Sequence, residues 1–584
     1  MMKTEKHNRR TPTAEEITEL ESRGCQATDW KLVSITDKTD LTLIRDTDFL
    51  GTVSIGELSR DCGHPTGIRN VRLADCRLGD NVCIRNIGRE IRSAEIGDDV
   101  RIENTAAIIF EPEAPCGNGV SAAVLDETSS RPVKFFPQLD AQIATLMALR
   151  PRWAEEVFFP MLDEEMEMHP ISHSIGNGAE IIDAGELLNV HVDSGVHIHG
   201  ARRLSNGAIL NNAQSSRGFA YVGDGVDAEN FMIVDGKADS GALLRNTFIG
   251  QGAVLEKGFT SHDSLFFANC SMENGEACAL FAGPYTVSMH KSTLLIGAMT
   301  SFMNAGSGTN QSNHTYKLGP VHWGIMERGV KTASFSYIMW GAKIGPFSLV
   351  MGAHKNHPDC SEFPFSYLFG DDKGATSIVP GMMLRSCGLL RDEKKWPTRD
   401  RRLKRKLTLS DRIHFSVLNP MTADRILHAI DLMRQLQLKP TDDDGFIRLR
   451  GMKMRRAHLE RAEIIYTEAL SKYLTERIEG DELPARTEET ADEWVDLGGQ
   501  IITRRTLDQV LQADNISEIR TILDDAFETF AADELRWIGN RFPDEWRRTK
   551  NELMHAADLF DRHIEEDRTI YRDNLTAEHA ILAL

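Results

Sequence analysis

Leu78–Ile84 reads LGDNVCI, and Ile96–Ile102, further along the chain, reads IGDDVRI. Both run apolar, two small or polar residues, Asn or Asp, a small apolar residue, then an apolar residue two further on. Further copies start at Ile175, Val192, Leu204, Val222, Ala238, Ile249 and Met272, with Gly178, Gly195, Gly207, Gly225, Gly241, Gly252 and Gly275 in the fourth place. Weaker ones start at Ile296 and Ile344, where Met299 and Phe347 stand instead. A chain coiling through three flat faces turns a corner about every six residues. A corner at positive φ favours Gly, Asn or Asp, because other side chains clash there. The first and fifth places then point inward: Leu78 with Val82, Val222 with Val226, Ile249 with Ala253. Starts 18 apart, as at Leu78 and Ile96, mark one full coil, and starts 12 apart mark two sides of one. The intervals of 17, 16, 11 and 23 require loops or bulges, and Glu276 departs from the small inward residue expected there. The pattern predicts a mainly β chain of stacked parallel coils.

Outward from this core, the chain divides into an N-terminal segment (1–49), a first repeat block (50–110), a helical insertion (111–170), the main repeat block (171–390) and a helical C-terminal domain (391–584). Residues 12–23 read as a short helix capped by Thr13. Pro137–Leu149 and Trp153–Phe159 carry helical periodicity inside the insertion, which makes that region the first place to seek a binding surface. After about residue 400, apolar residues recur at three and four over 421–438, 453–478, 505–512, 516–538, 543–567 and 576–584. Such helices are expected to cover the exposed strand edge at the end of the coil.

The composition of 41% hydrophobic and 26% charged residues fits a chain that buries a real core. A net charge of −20 argues against a nucleic-acid partner, which needs a basic surface. The polar start lacks the apolar stretch of a signal peptide, and no run of about 18 apolar residues offers a membrane span. Nine scattered cysteines without a CxxC pair fit reduced core thiols and a cytoplasmic location.

The repeat resembles the hexapeptide-repeat, left-handed β-helix superfamily of the trimeric UDP-N-acetylglucosamine acyltransferases. The whole chain resembles a bacterial family sometimes labelled sugar-nucleotide pyrophosphorylase. The first resemblance implies a left-handed parallel β-helix, a homotrimer, and acyl transfer to a sugar or sugar nucleotide from acyl-CoA or acyl carrier protein. The second label fails its own requirement, because the segment ahead of the repeats is too short for a nucleotide-binding α/β domain and no Gly-rich phosphate loop is present.

The densest polar stretch is Asn304–Lys317, followed by His322 and Trp323; further on comes Met351–Pro358. Two coils apart, these loops are expected to converge on one cleft. Histidine suits general-base work near neutrality, which makes His354, His357, His322 and His314 the catalytic candidates. The resemblance points to Gly352–His354 as the base-bearing region. Lys317, Lys355, Asn356 and Arg385 are candidate substrate ligands, with Lys331 and Lys343 a wider cationic lining and Tyr316 and Trp323 candidate stacking platforms. His191, His197 and His199 raise a metal alternative, the last two sharing one strand face, as a zinc hydratase or lyase would require. A non-catalytic sugar-nucleotide-binding or scaffold protein is the other alternative. The basic run Lys394–Lys406 reads as a solvated junction between coil and helices.

Overall fold

The computed structural model describes residues 8–126, 131–211, 220–312, 323–405, 407–478, 483–487, 491–547 and 549–582. Its centre is a 34-stranded sheet whose pairs are parallel, save the antiparallel start of Arg9–Arg10 on Val33–Thr36. Each strand bonds to the strand one coil before and one coil after it. Three inward columns follow. One runs Ile68, Ile84, Ile102, Ile181, Ile198, Val222, Ala238, Leu255, Met272, every one of them fully buried. A second runs Leu78, Ile96, Ile175, Val192, Ile209, Ile233, Ile249, Phe266. The third passes Ile108, Leu187, Leu204, Ala228 and Leu244. Val222 and Ile249 thus point inward as the pattern predicts. Burying one such side chain contributes roughly 1.5–3 kcal/mol.

The insertion is looped out without disturbing this register. Ile96 pairs with Ile175, Ile102 with Ile181 and Ile108 with Leu187, so all three columns resume beyond it at one common interval. Parallel pairing already begins at Gln26–Ala27, ahead of residue 50.

The corners correct one detail of the reading. Gly178, Gly195, Gly225, Gly241 and Gly252 do take positive φ, as do Asn81 and Asp99. In the copies at Leu204 and Met272 the preceding Asn206 and Asn274 take it instead. Gly207 is required for a different reason: a Cβ there would sit 2.2 Å from the Phe231 ring. The corner asparagines form ladders between coils. Asn189 donates to Asn206, Asn206 to Asn230, Asn230 to Asn246, and Asn246 to Asp263, over 3.0–3.4 Å.

Both coil ends are closed. The N-terminal helix Ala14–Ser22 starts with a capping box between Thr13 and Glu16 and buries Leu20. At the far end Tyr367–Gly370 turns back antiparallel on Thr376–Val379, and the hairpin of Ile447–Leu449 and Met452–Met454 extends that sheet. Helix Arg456–Arg477 lies over it, with the Tyr466 hydroxyl donating to the Pro364 carbonyl at 2.6 Å. The C-terminal region is helical as expected, with helix Lys550–Leu582 tied to helix Arg456–Arg477 by Lys472 and Asp561. Helix and strand take about equal shares of the chain, which corrects the expectation of a mainly β protein. Among the described residues no helix is long and apolar enough to cross a membrane.

Gly225 sits at φ 71 with Gly241 stacked next to it. Replacing Gly225 by Val forces a β-branched side chain into the left-handed region and should cost about 1–3 kcal/mol. A urea unfolding midpoint matching wild type would show that the corner tolerates a side chain.

Candidate functional site

From Tyr285 onward the corners of one edge carry aromatic residues. Tyr285, Phe302, Phe347 and Phe365 all take positive φ, and their rings stack in pairs: Tyr285 on Phe302 and Phe347 on Phe365, each at 5.3 Å. Between Phe302 and Phe347 the corner belongs to Gly329, where a Cβ would lie 2.1 Å from the Phe347 ring. The preceding Arg328 lays its guanidinium over Phe302 at 4.3 Å.

This edge is where the helical region docks. Arg402 is 2% exposed and pairs with Asp400 at 2.8 Å; Asp400 also accepts from Asn269. Arg401 donates to the carbonyls of Asn269 and Cys270. Asp411, whose carboxyl burial pushes up to about 6, accepts from the backbone of Ala141 in the insertion and Ala268 in the coil. The basic run is a junction, as expected, but within it Arg402 is buried and Arg401 half-buried rather than solvated. Charges left out of water are stable only when paired in this way.

The hairpin Trp494–Leu497/Gln500–Thr503 completes the junction. Gln142 of the insertion donates to the Leu497 and Gly498 carbonyls. Asp496 and the Gly499 carbonyl each accept from Arg328 Nη1 at 3.2 Å. The Arg328 side chain is wholly buried, yet its Nε and Nη2 make no hydrogen bond among the described residues. Burial lowers its pKa, and a guanidinium nonetheless stays charged. Beside it His414 is stacked on Phe530 and accepts from the Ile501 amide; burial, then the Arg328 charge, push its pKa down to about 3.

A cavity of about 280 Å³ opens where these parts meet. The coil supplies Phe281, Met299, Thr300, Ser301, Met326, Glu327 and Arg328; the insertion supplies Leu149; helix Pro420–Gln437 supplies Met421, Asp424 and Arg425; the hairpin region supplies Glu493, Trp494 and Asp496. Glu327 pairs with Arg425 at 2.8 Å, and its carboxyl is raised by burial against that charge. Asp424 pairs with Arg541. The wall therefore combines an apolar floor with fixed acceptors and buried donors, the composition of a small-molecule site. A more open cleft of about 680 Å³ lies among the C-terminal helices, lined by Arg505, Gln509, Asp533 and Arg536. It lacks the buried, charged donor that distinguishes the junction cavity.

The residues singled out from sequence that are described lie elsewhere. His354 occupies the third inward column, paired in register with Ile338, and is 0% exposed. Its Nδ1 bonds the Thr376 hydroxyl at 2.8 Å and its Nε2 the Met351 carbonyl at 3.1 Å, so neither nitrogen is free for a substrate proton. This is a core position, and the physical reason is strand alternation, which turns residue 354 inward. His357 takes a corner at φ 51 and bonds the Trp340 carbonyl. Asn356 accepts from Thr376 and donates to Gly451; Lys355 packs over Gly374; Arg385 pairs with Glu468 at 3.3 Å. Lys331 is held by Asp392, Lys343 is exposed, and Arg131 lies over the Trp323 ring at 4.5 Å. His314, Tyr316, Lys317 and His322 lie outside the described residues. His191 is separated from His197 and His199: it bonds the Ser172 carbonyl and Ser174.

Sequence reasoning passed over Arg328, Glu327, Arg425 and Asp496. The available signal was a Glu-Arg pair directly before a corner glycine, within the repeat.

Residues 9–437 match the family described as "Domain of unknown function (DUF4954)", and the chain belongs to that family. The matched span runs from the first strand to the end of helix Pro420–Gln437, taking in the coil, insertion and helix that line the cavity but not the hairpin. An uncharacterized protein of Treponema pallidum (strain Nichols) is 26% identical over 449 residues, 72% of this chain and 60% of that protein. The chain thus spans about 60% of that relative's length. These findings correct the resemblance drawn from the repeat: the family shown is one of unknown function, no hexapeptide-repeat or acyltransferase family is shown, and the pyrophosphorylase label finds no support.

His354 yields a pH prediction. Burial lowers its pKa from 6.5 to about 4, so it is neutral when folded while the unfolded chain protonates near 6.5. Stability is therefore lost as pH falls through that window, by up to roughly 3 kcal/mol for full protonation; His414 acts in the same direction. A His354→Gln chain should lose less stability than wild type between about pH 7 and about pH 4.5 in urea titrations. Equal losses would mean that His354 titrates normally.

Proposed function

We propose that the protein binds a small sugar, free or as the sugar of a nucleotide conjugate, in the junction cavity. The observation that carries this reading is Arg328: a buried guanidinium lining the cavity, with two donors that nothing in the described residues satisfies. An unpaired buried donor costs about 1–3 kcal/mol, more when charged, and a ligand acceptor removes that cost. Glu327, Asp424, Glu493 and Asp496 favour hydroxyl donors on the same ligand, and Phe281 and the methionines favour an apolar ring face. A sugar ring offers acceptors, donors and an apolar face together. The cavity is small for a drug-sized ligand, for which roughly 300–1,000 Å³ is usual, and suits a single ring.

This reading favours a binding protein over acyl transfer, because His354 has no free nitrogen to act as base. The scaffold is proposed to be a left-handed β-helix with three flat sides, acting in the cytoplasm. A homotrimer packed side by side remains part of the proposal, and light scattering on the full chain tests it.

Calorimetry and thermal unfolding of the full chain with hexoses, hexose phosphates and UDP-sugars test the ligand. One class should bind and raise the midpoint; saturation to about 100 times Kd corresponds to about 2.7 kcal/mol. Arg328→Met should abolish that binding. Because this change leaves Asp496 without its partner, Ser301→Leu, which fills the cavity wall, provides a second variant that should also lose binding. Silence across the panel, or unchanged binding by Ser301→Leu, would overturn the assignment.

A further inference from the structure

A second cluster, which shares no residue with the junction, stands on the outer face of the coil. Glu180–Ile182 and His197–His199 are neighbouring parallel strands, with Glu180 opposite His197 and Ile182 opposite His199. Ile181 and Ile198 point inward and are fully buried, so alternation turns Glu180, His197 and His199 outward together. One carboxylate oxygen of Glu180 lies 2.9 Å from His197 Nδ1 and 3.3 Å from His199 Nε2. The second contact is not a hydrogen bond: His199 Nε2 is shielded from solvent and has no hydrogen-bond partner among the described residues. One ligand atom from each residue falls within 4.8 Å of the others.

We propose that Glu180, His197 and His199 form a binding site for a first-row divalent cation, zinc by preference. Two imidazoles and a carboxylate match the donor set of such ions. With bonds of about 2.0–2.1 Å, tetrahedral ligand atoms stand about 3.3 Å apart. The distance from Glu180 to His199 already has this value, and the distance from Glu180 to His197 needs to open by a few tenths of an ångström. An ion between the three would also engage His199 Nε2, which lies 3.3 Å from the Glu180 carboxylate without bonding to it.

The neighbouring cations make their ion pairs with other carboxylates. Arg101, in register with Glu180 on the preceding coil, is engaged by Glu103 at 3.1 Å. On the other side Tyr221 lies edge-on to His199, and Lys237 beyond it pairs with Asp239 and Glu256. Each of the three side chains is about a third exposed, so the fourth position faces solvent and is open to water or a ligand.

The test uses the full chain, stripped with a chelator and then titrated with Zn(II) by calorimetry and with Co(II) by visible absorption. Wild type should take up one ion per chain, and Co(II) should give the intense visible bands of a four-coordinate site. Glu180→Gln, His197→Gln and His199→Ala should each weaken binding by at least about tenfold, with thermal midpoints in chelator unchanged. His290→Ala, which removes an exposed histidine elsewhere, should bind as wild type. Absence of stoichiometric uptake by wild type overturns the proposal, and so does uptake that survives both His197→Gln and Glu180→Gln.

Discussion

The rest of the structure depends on the register between coils. A parallel coil buries one side of each strand, and a slip of a single residue would turn every apolar residue of that strand outward. Three columns must hold that register at once, and they do so even across the insertion, where Ile102 meets Ile181 and not a neighbour. The asparagine ladders add a polar lock at the corners. Each amide both donates and accepts between coils, so it fixes spacing as well as turning the chain.

Fixed register has a consequence for everything attached to the coil. Once the corners of one edge stack as a column, a docking segment meets a continuous strip of identical spacing. The 400–412 segment exploits that strip, reading Gln251, Asn269 and Ala268 with Ser410, Asp400 and Asp411 in turn. The insertion and the Trp494–Thr503 hairpin then close over the same strip from the other side. Burying Arg402, Asp411 and Arg328 in one seam is costly, so each is paired or hydrogen-bonded along it. Of these three, Arg328 has donors to spare, and it lines the cavity.

Much of the fold was legible and little of the site. The period, the inward residues and the looped-out insertion follow from apolar spacing and corner residues, which act locally. The exchange of roles between Gly207 and Asn206 was not legible, because the need for glycine at 207 comes from the Phe231 ring on the next coil. His354 was misjudged for a related reason. Its neighbours Gly352 and Asn356 suggest a loop, but its place opposite Ile338 of the preceding coil fixes its direction inward. Arg401 and Arg402 looked solvated because a charge run says nothing about the surface that covers it.

The same geometry explains why neither candidate site carries a motif. In a coil, residues that face outward side by side are a full turn apart in sequence, as Glu180 and His197 are. At the junction the separation is larger still: Arg328 of the coil meets Asp496 of a hairpin that follows the whole repeat and two long helices. Spacing rules written for helices and loops therefore pass over such clusters, whatever the chemistry of their members. Within a coil, however, the register itself supplies the missing rule. Outward residues at matching places in successive turns should be read together as a column, and Glu180 with His197 and His199 is what that reading finds.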